Sequence, residues 1–200
     1  MELTVYAIDG VIPVIHPDAF VHPRAVLIGD IIVGPGCYIG PLASLRGDIG
    51  RIRIGEGANV QDCCVLHSFP RRELIIEKDG HIGHGAVLHG CYIRRNALVG
   101  MNSVVMDGAE LGENSILAAH SFVKAGLVLP PGSLIAGAPA KVIRSLTPEE
   151  IAWKRSGTAE YQHLARRSRA TMKACAPLAE VDADRPELKP GDAVPLYQTR

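Results

Sequence analysis

Along residues 20–130 an aliphatic side chain returns at every sixth position: Val21, Leu27, Val33, Ile39 and Leu45, then Ile54, Val60 and Leu66, then Ile82 and Leu88, then Ile93, Val99, Val105, Leu111, Leu117 and Val123. This spacing excludes an amphipathic helix, which needs apolar residues three and four apart. Small residues stand four places after most of these anchors, among them Ala25, Cys37, Ala43, Ala58, Cys64, Ala86, Ala97, Ser103, Ala109, Ser115 and Ser121, and glycine often follows an anchor directly. Each hexad therefore reads as a short strand closed by a tight corner, and stacked coils would bury the anchors in one column. Aromatic residues make up only 4% of the chain, too few for an ordinary aromatic-filled core. The expected fold is all-β, a parallel β-helix, taken with three hexads per coil.

Two breaks interrupt the register. Three residues beyond one hexad separate Leu45 from Ile54, and four beyond two hexads separate Leu66 from Ile82, around SFPRRELIIEKDG. Insertions in a solenoid leave as loops on one face, often the working one, which makes residues 68–80 a candidate lid. After the repeats, Thr147-Pro148-Glu149-Glu150 supplies an N-cap, a proline at the first helical position and a glutamate at the third, a capping box. A helix is expected from there, interrupted near Gly157 and resuming through Tyr161 to about Lys173. The chain divides into a solenoid, 1–144, a C-terminal helical segment, 145–175, and a tail, 176–200, that is either extended or disordered.

The charge is balanced, with 21 Lys plus Arg against 21 Asp plus Glu, so nucleic acid is not an expected partner. No apolar run is long enough to span a bilayer and the start lacks a leader pattern, so no membrane partner and a cytoplasmic location are expected. The five cysteines contain no CxxC pair, which indicates neither a disulfide framework nor a zinc ribbon.

Coil counting locates the chemistry. Leu45, Leu66 and Leu88 fall on one face in successive coils, so Arg46, His67 and His89 stack behind them and point outward. Coils roughly 4.8 Å apart allow two stacked imidazoles to share an ion. Val60 and Ile82 share the preceding face, which stacks Asp62 beneath His84 and puts a corner between His84 and the other two histidines. A neighbouring subunit would bring such a third ligand in most easily, and closed symmetry then predicts a homotrimer with metal sites at its interfaces.

The segments RGD at 46–48, NVQD at 59–62, VLH at 65–67 and GHGAVLHG at 83–90 resemble the γ-class carbonic anhydrases, members of the left-handed β-helix superfamily. The resemblance implies a left-handed coil, with His67, His89 and a neighbour's His84 as ligands of Zn2+. It also implies interfacial ion pairs at Arg46, Asp48 and Asp62, and a catalytic role for Gln61 beside the metal-bound solvent. A tyrosine or asparagine from the helix can enter the site in relatives, which makes Tyr161 a second catalytic candidate. Three histidines leave zinc an open position and suit Fe2+ or Co2+ as well, and zinc lowers the pKa of bound water to about 7. A carboxylate or carbonyl is expected on each ligand's other ring nitrogen.

Carbon dioxide hydration needs a proton relay. Ile49 stands where the well-studied anhydrases have a glutamate after RGD, leaving Glu73 or Glu77 as substitutes. Through VLIGD, SLRGD, VQDCCVLH, IRRNALVGMNSVVMDGA and GTAEYQ the chain resembles the branch of phenylacetate-degradation proteins, with the carnitine-operon proteins as near relatives. That branch implies hydrolysis of acyl-coenzyme A thioesters in aromatic catabolism, with Arg71, Arg72, Arg94, Arg95 and Lys124 as candidate phosphate contacts. The alternatives are a carbonic anhydrase acting on CO2 and bicarbonate, a coenzyme A-dependent acyltransferase with one histidine base and no metal, and a non-catalytic scaffold. Histidines outside the triad, His81 included, are read as solvated or core residues.

Overall fold

The computed structural model describes residues 2–188, 191 and 194–198. Residues 20–135 form a left-handed parallel β-helix with three faces. On the first, Leu27, Leu45, Leu66, Leu88, Val105 and Val123 lie in register; on the second, Val33, Ile54, Ile76, Ile93, Leu111 and Leu129; on the third, Val21, Ile39, Val60, Ile82, Val99, Leu117 and Ile135. These anchors are buried and form one hydrophobic column with the small corner residues. Side chains alternate along each strand, so burying the anchors turns their immediate neighbours outward.

Both register breaks are resolved differently from expectation. The first is no separate loop: Ser44–Ile54 is one continuous strand that turns the corner, pairing with Val65–His67 at its start and with Glu73–Ile76 at its end. The extra residues form a bulge opposite Asp30, where Gly29 pairs with Gly47 but Ile31 pairs with Ile52. In the second, only residues 68–72 leave the coil, because Leu74 and Ile76 are fully buried and supply the second-face strand of that coil. A 68–80 lid therefore shrinks to its first five residues.

The helix Pro148–Thr171 is continuous, and Gly157 does not interrupt it. A glycine costs a helix interior about 1 kcal/mol relative to alanine, and burial of Lys154, Thr158 and Ala165 against the third face outweighs that. The capping box forms as expected: Glu150 N–H donates to Thr147 Oγ1 and Thr147 N–H donates to the Glu150 carboxylate. The far end of the tail meets this helix, where Trp153 Nε1 donates to Val194 O at 2.7 Å, before a turn of 3-10 helix at Leu196–Gln198. Residues 189, 190, 192, 193, 199 and 200 of the expected 176–200 tail lie outside the described residues. No helix among the described residues is long and apolar enough to cross a membrane.

Candidate functional site

His67 and His89 end two adjacent strands that pair residue for residue. With Leu66 and Leu88 buried, both rings emerge on the same side, and His67 Nδ1 lies 3.0 Å from His89 Nε2. The outer nitrogen of each ring meets a carboxylate: His67 Nε2 to Asp48 Oδ1 at 3.1 Å, and His89 Nδ1 to Asp107 Oδ1 at 2.7 Å. Asp48 reaches His67 because the bulge carries it out of the coil, and Arg46 Nη1 holds its other oxygen at 3.1 Å. Asp107 reaches His89 over Gly90, which has φ +52° and no Cβ; a Cβ there would collide with Asp107 Oδ1.

This arrangement fixes the tautomers. A neutral imidazole has one N–H and one lone pair. If each outer nitrogen donates to its carboxylate, both inner nitrogens present lone pairs to one another. Two bare acceptors 3.0 Å apart repel unless a cation or an added proton lies between them. The donor set thus fits a divalent metal ion, and the carboxylates on the far nitrogens are the partners that orient histidine ligands. Ser68 Oγ, one residue from His67, is buried without a hydrogen-bond partner, and the Phe69 ring meets His89 edge-on with centroids 4.9 Å apart. Among the described residues of a single chain, no group of three His, Cys, Asp or Glu side chains converges on one metal position.

His84 occupies the other face, as the coil count requires. Its Nδ1 lies 3.0 Å from Asp62 Oδ2, while the Tyr161 hydroxyl approaches Nε2 at only 3.4 Å. Burial, with the Asp62 charge second, pushes the Tyr161 phenol up to about 12, so it stays protonated and donates. Beside it, Gln61 Nε2 donates to Asn59 Oδ1 at 3.0 Å and to His81 Nε2 at 2.7 Å. His81 Nδ1 lies 3.2 Å from both Thr158 Oγ1 and Asn59 Nδ2. Burial, aided by Lys154 and His84, drives His81 down to about 3, so the ring stays neutral. With both amide hydrogens engaged, Gln61 keeps Oε1 as its remaining acceptor. Gln61, His81, His84 and Tyr161 border a cleft of ≈ 330 Å³ whose other walls are largely apolar.

The structure thus gathers the candidate residues into two half-sites on different faces: Arg46, Asp48, His67 and His89 on one, Gln61, Asp62, His84 and Tyr161 on the other. Within one chain Arg46 pairs with Asp48, and Asp62 with His84. The phosphate candidates stand on different segments of the solenoid. Glu110 binds the Arg94 guanidinium through two hydrogen bonds of 2.7 and 2.8 Å and Glu77 through a third of 3.0 Å, so much of its donor capacity is engaged within the chain. Arg95 borders a different depression, with Asn96, Glu113 and Arg155, while Arg71, Arg72 and Lys124 are exposed. Neither relay candidate is free, since Glu73 faces Arg51 and Arg53 and Glu77 faces Arg94. Sequence reasoning missed Asp107 and the role of His81. The adjacent Gly90 and Asp107 corners were the available signal for the first; nothing in the letters marked the second.

The family description "Bacterial transferase hexapeptide (six repeats)" matches residues 12–47 and 90–125. Carnitine operon protein CaiE of Salmonella agona is 57% identical over 187 residues, covering 94% of each chain, and CaiE of Citrobacter koseri is 59% identical over 94% of this chain and 95% of its own. Among solved structures, a candidate acetyltransferase of Bacillus cereus is 36% identical with a TM-score of 0.83, covering 85% of this chain and 99% of its own. A hexapeptide transferase family protein of Anaplasma phagocytophilum is 39% identical with a TM-score of 0.79, over 83% and 98%. With its six-residue repeats and its near full-length match to these relatives, this chain belongs to the hexapeptide-repeat transferase family, in the group of the carnitine operon proteins CaiE.

Proposed function

We propose that this chain is a metal-dependent hydrolase of acyl-coenzyme A thioesters, acting in the cytoplasm as a homotrimer. His67 and His89 of one subunit and His84 of the next would hold one Zn2+, with Fe2+ or Co2+ as substitutes. One observation carries the reading: His67 Nδ1 and His89 Nε2 face each other at 3.0 Å while carboxylates engage their far nitrogens. A bound ion there supplies Lewis acidity toward a carbonyl and acidifies water toward neutral pH.

The chain's own residues do the rest. Gln61 Oε1 accepts a hydrogen bond from the attacking water, and the Tyr161 hydroxyl donates to the thioester oxygen. The water oxygen bonds to the acyl carbon and the carbon–sulfur bond breaks. One water proton passes to the departing thiolate and the other to solvent, giving a carboxylate and coenzyme A. Arg71 and Arg72, exposed on the 68–72 loop, are the best remaining phosphate contacts. An aromatic acyl group, as in phenylacetate catabolism, belongs to this reading. Carbon dioxide hydration ranks below it, because Glu73 and Glu77 are tied up in ion pairs.

A coenzyme A-dependent acyltransferase is the second reading, favoured by the transferase description of the family and of the Bacillus cereus structure. On that reading one of the His–Asp pairs is a base and no metal is needed. The deciding experiment assays a panel of acyl-coenzyme A thioesters with wild type and His89→Ala, with metal content and solution mass measured on the same samples. The hydrolase reading expects a trimer whose turnover disappears together with its metal. Acyl transfer to an added amine or alcohol that survives a chelator would replace it with the transferase reading.

A further inference from the structure

The cleft beside Gln61, His84 and Tyr161 has a composition that metal chemistry does not require. Beyond that polar end its walls are Leu98, Met101, Ile116 and Ala118, side chains turned outward from the third face, with Trp153 from the helix. Leu196 of the tail completes the lining, and the Trp153–Val194 hydrogen bond at 2.7 Å fastens that tail segment to the helix. Its volume of ≈ 330 Å³ sits at the lower end of the roughly 300–1,000 Å³ usual for small-molecule pockets. That is room for a medium-length acyl chain or one aromatic ring, and not for coenzyme A in addition.

We propose that this cleft binds the acyl group of the substrate, an apolar chain or ring of medium size, and that Leu196 closes its outer end and limits acyl length. The inference rests on the thioester reading and deepens it. An apolar body bordered at one end by Gln61, His84 and Tyr161 matches a ligand with a hydrocarbon body and a carbonyl head. Such a ligand would set its carbonyl among the groups assigned to the reaction and leave the nucleotide outside. The tail thereby becomes a specificity element, since moving Leu196 changes the length of the cleft without touching a reacting group.

Trp153 is the chain's one tryptophan, so its fluorescence reports the cleft directly. Titration of the full-length protein with octanoate should give a saturable change, with acetate binding at least about tenfold more weakly because it buries so little hydrocarbon. Ala119→Phe, a change at an exposed lining position, should abolish the octanoate response. Leu196→Ala should shift preference toward palmitate about tenfold while keeping octanoate binding. No saturable octanoate response in wild type, or an equal response in Ala119→Phe, overturns the proposal. An unchanged length preference in Leu196→Ala overturns the role of the tail. Binding of free acids requires neither metal nor turnover, so a protein that binds octanoate but hydrolyses no thioester retains the cleft and loses only the hydrolase reading.

Discussion

Asp107 Oδ1 lies 2.7 Å from His89 Nδ1, across a position where Gly90 leaves no Cβ. The carboxylate fixes the ring so that Nε2 faces His67. Loss of such a partner typically weakens metal affinity by roughly 10–100-fold, which is the change expected for Asp107→Ala in a chelator competition. Gly90→Ala should lower affinity in the same assay with the carboxylate still in the chain, because its methyl occupies the place of Asp107 Oδ1. Unchanged affinity in both variants would remove Asp107 from the site.

The same coil tests how the core supports the histidine. Leu88 is fully buried, whereas Val87 beside it is 37% exposed. Leu88→Ala should cost about 2–5 kcal/mol in chemical denaturation, and Val87→Ala should stay within about 0.5 kcal/mol. The first should also weaken metal retention, since Leu88 sets the direction in which His89 leaves the strand.

His81 makes stability depend on pH. Its folded pKa is lowered from 6.5 to about 3 by burial, so between those values the unfolded chain binds the extra proton. Its contribution is therefore full above pH 6.5 and is lost progressively as pH falls toward 3. Replacement by glutamine should flatten the acid limb of a denaturation series, by up to about 1.4 kcal/mol per pH unit. Parallel limbs for wild type and His81→Gln would show that the ring titrates normally in the fold.

At the helix start, Thr147→Ala should cost about 1 kcal/mol through loss of the N-cap. Glu150→Ala should cost more. Glu150 closes the capping box and also takes two hydrogen bonds of 2.7 Å from Arg144, the residue that ties the last solenoid strand to the helix. Thermal denaturation of the two variants checks both the size and the order of these effects.

The anchors were legible because a buried column demands one aliphatic residue per face, and that demand is written at fixed intervals. Where the interval slipped, legibility failed: Leu74 and Ile76 belong to the column but stand inside what reads as an insertion. Of the candidate site, the stacking of His67 on His89 and of His84 over Asp62 followed from counting alone. The approach of Asp48 did not, because it depends on how far a bulge carries one carboxylate. Arg94 shows the converse. Its letter offers a free charge, and only the register reveals Glu77 and Glu110 on either side of it.

The hairpin of Ser133–Gly137 and Ala140–Ser145 reverses the chain direction on the third face just where another parallel coil would start. A stack of identical coils is a template for its own extension, and an unprotected terminal coil could recruit a second molecule end to end. The reversed strand presents the wrong polarity for that addition, and its exposed residues include Lys141, whose charge opposes the docking of a like surface. The hairpin therefore serves as a stop against fibre growth. A chain cut before Ala140 would be expected to polymerise end to end.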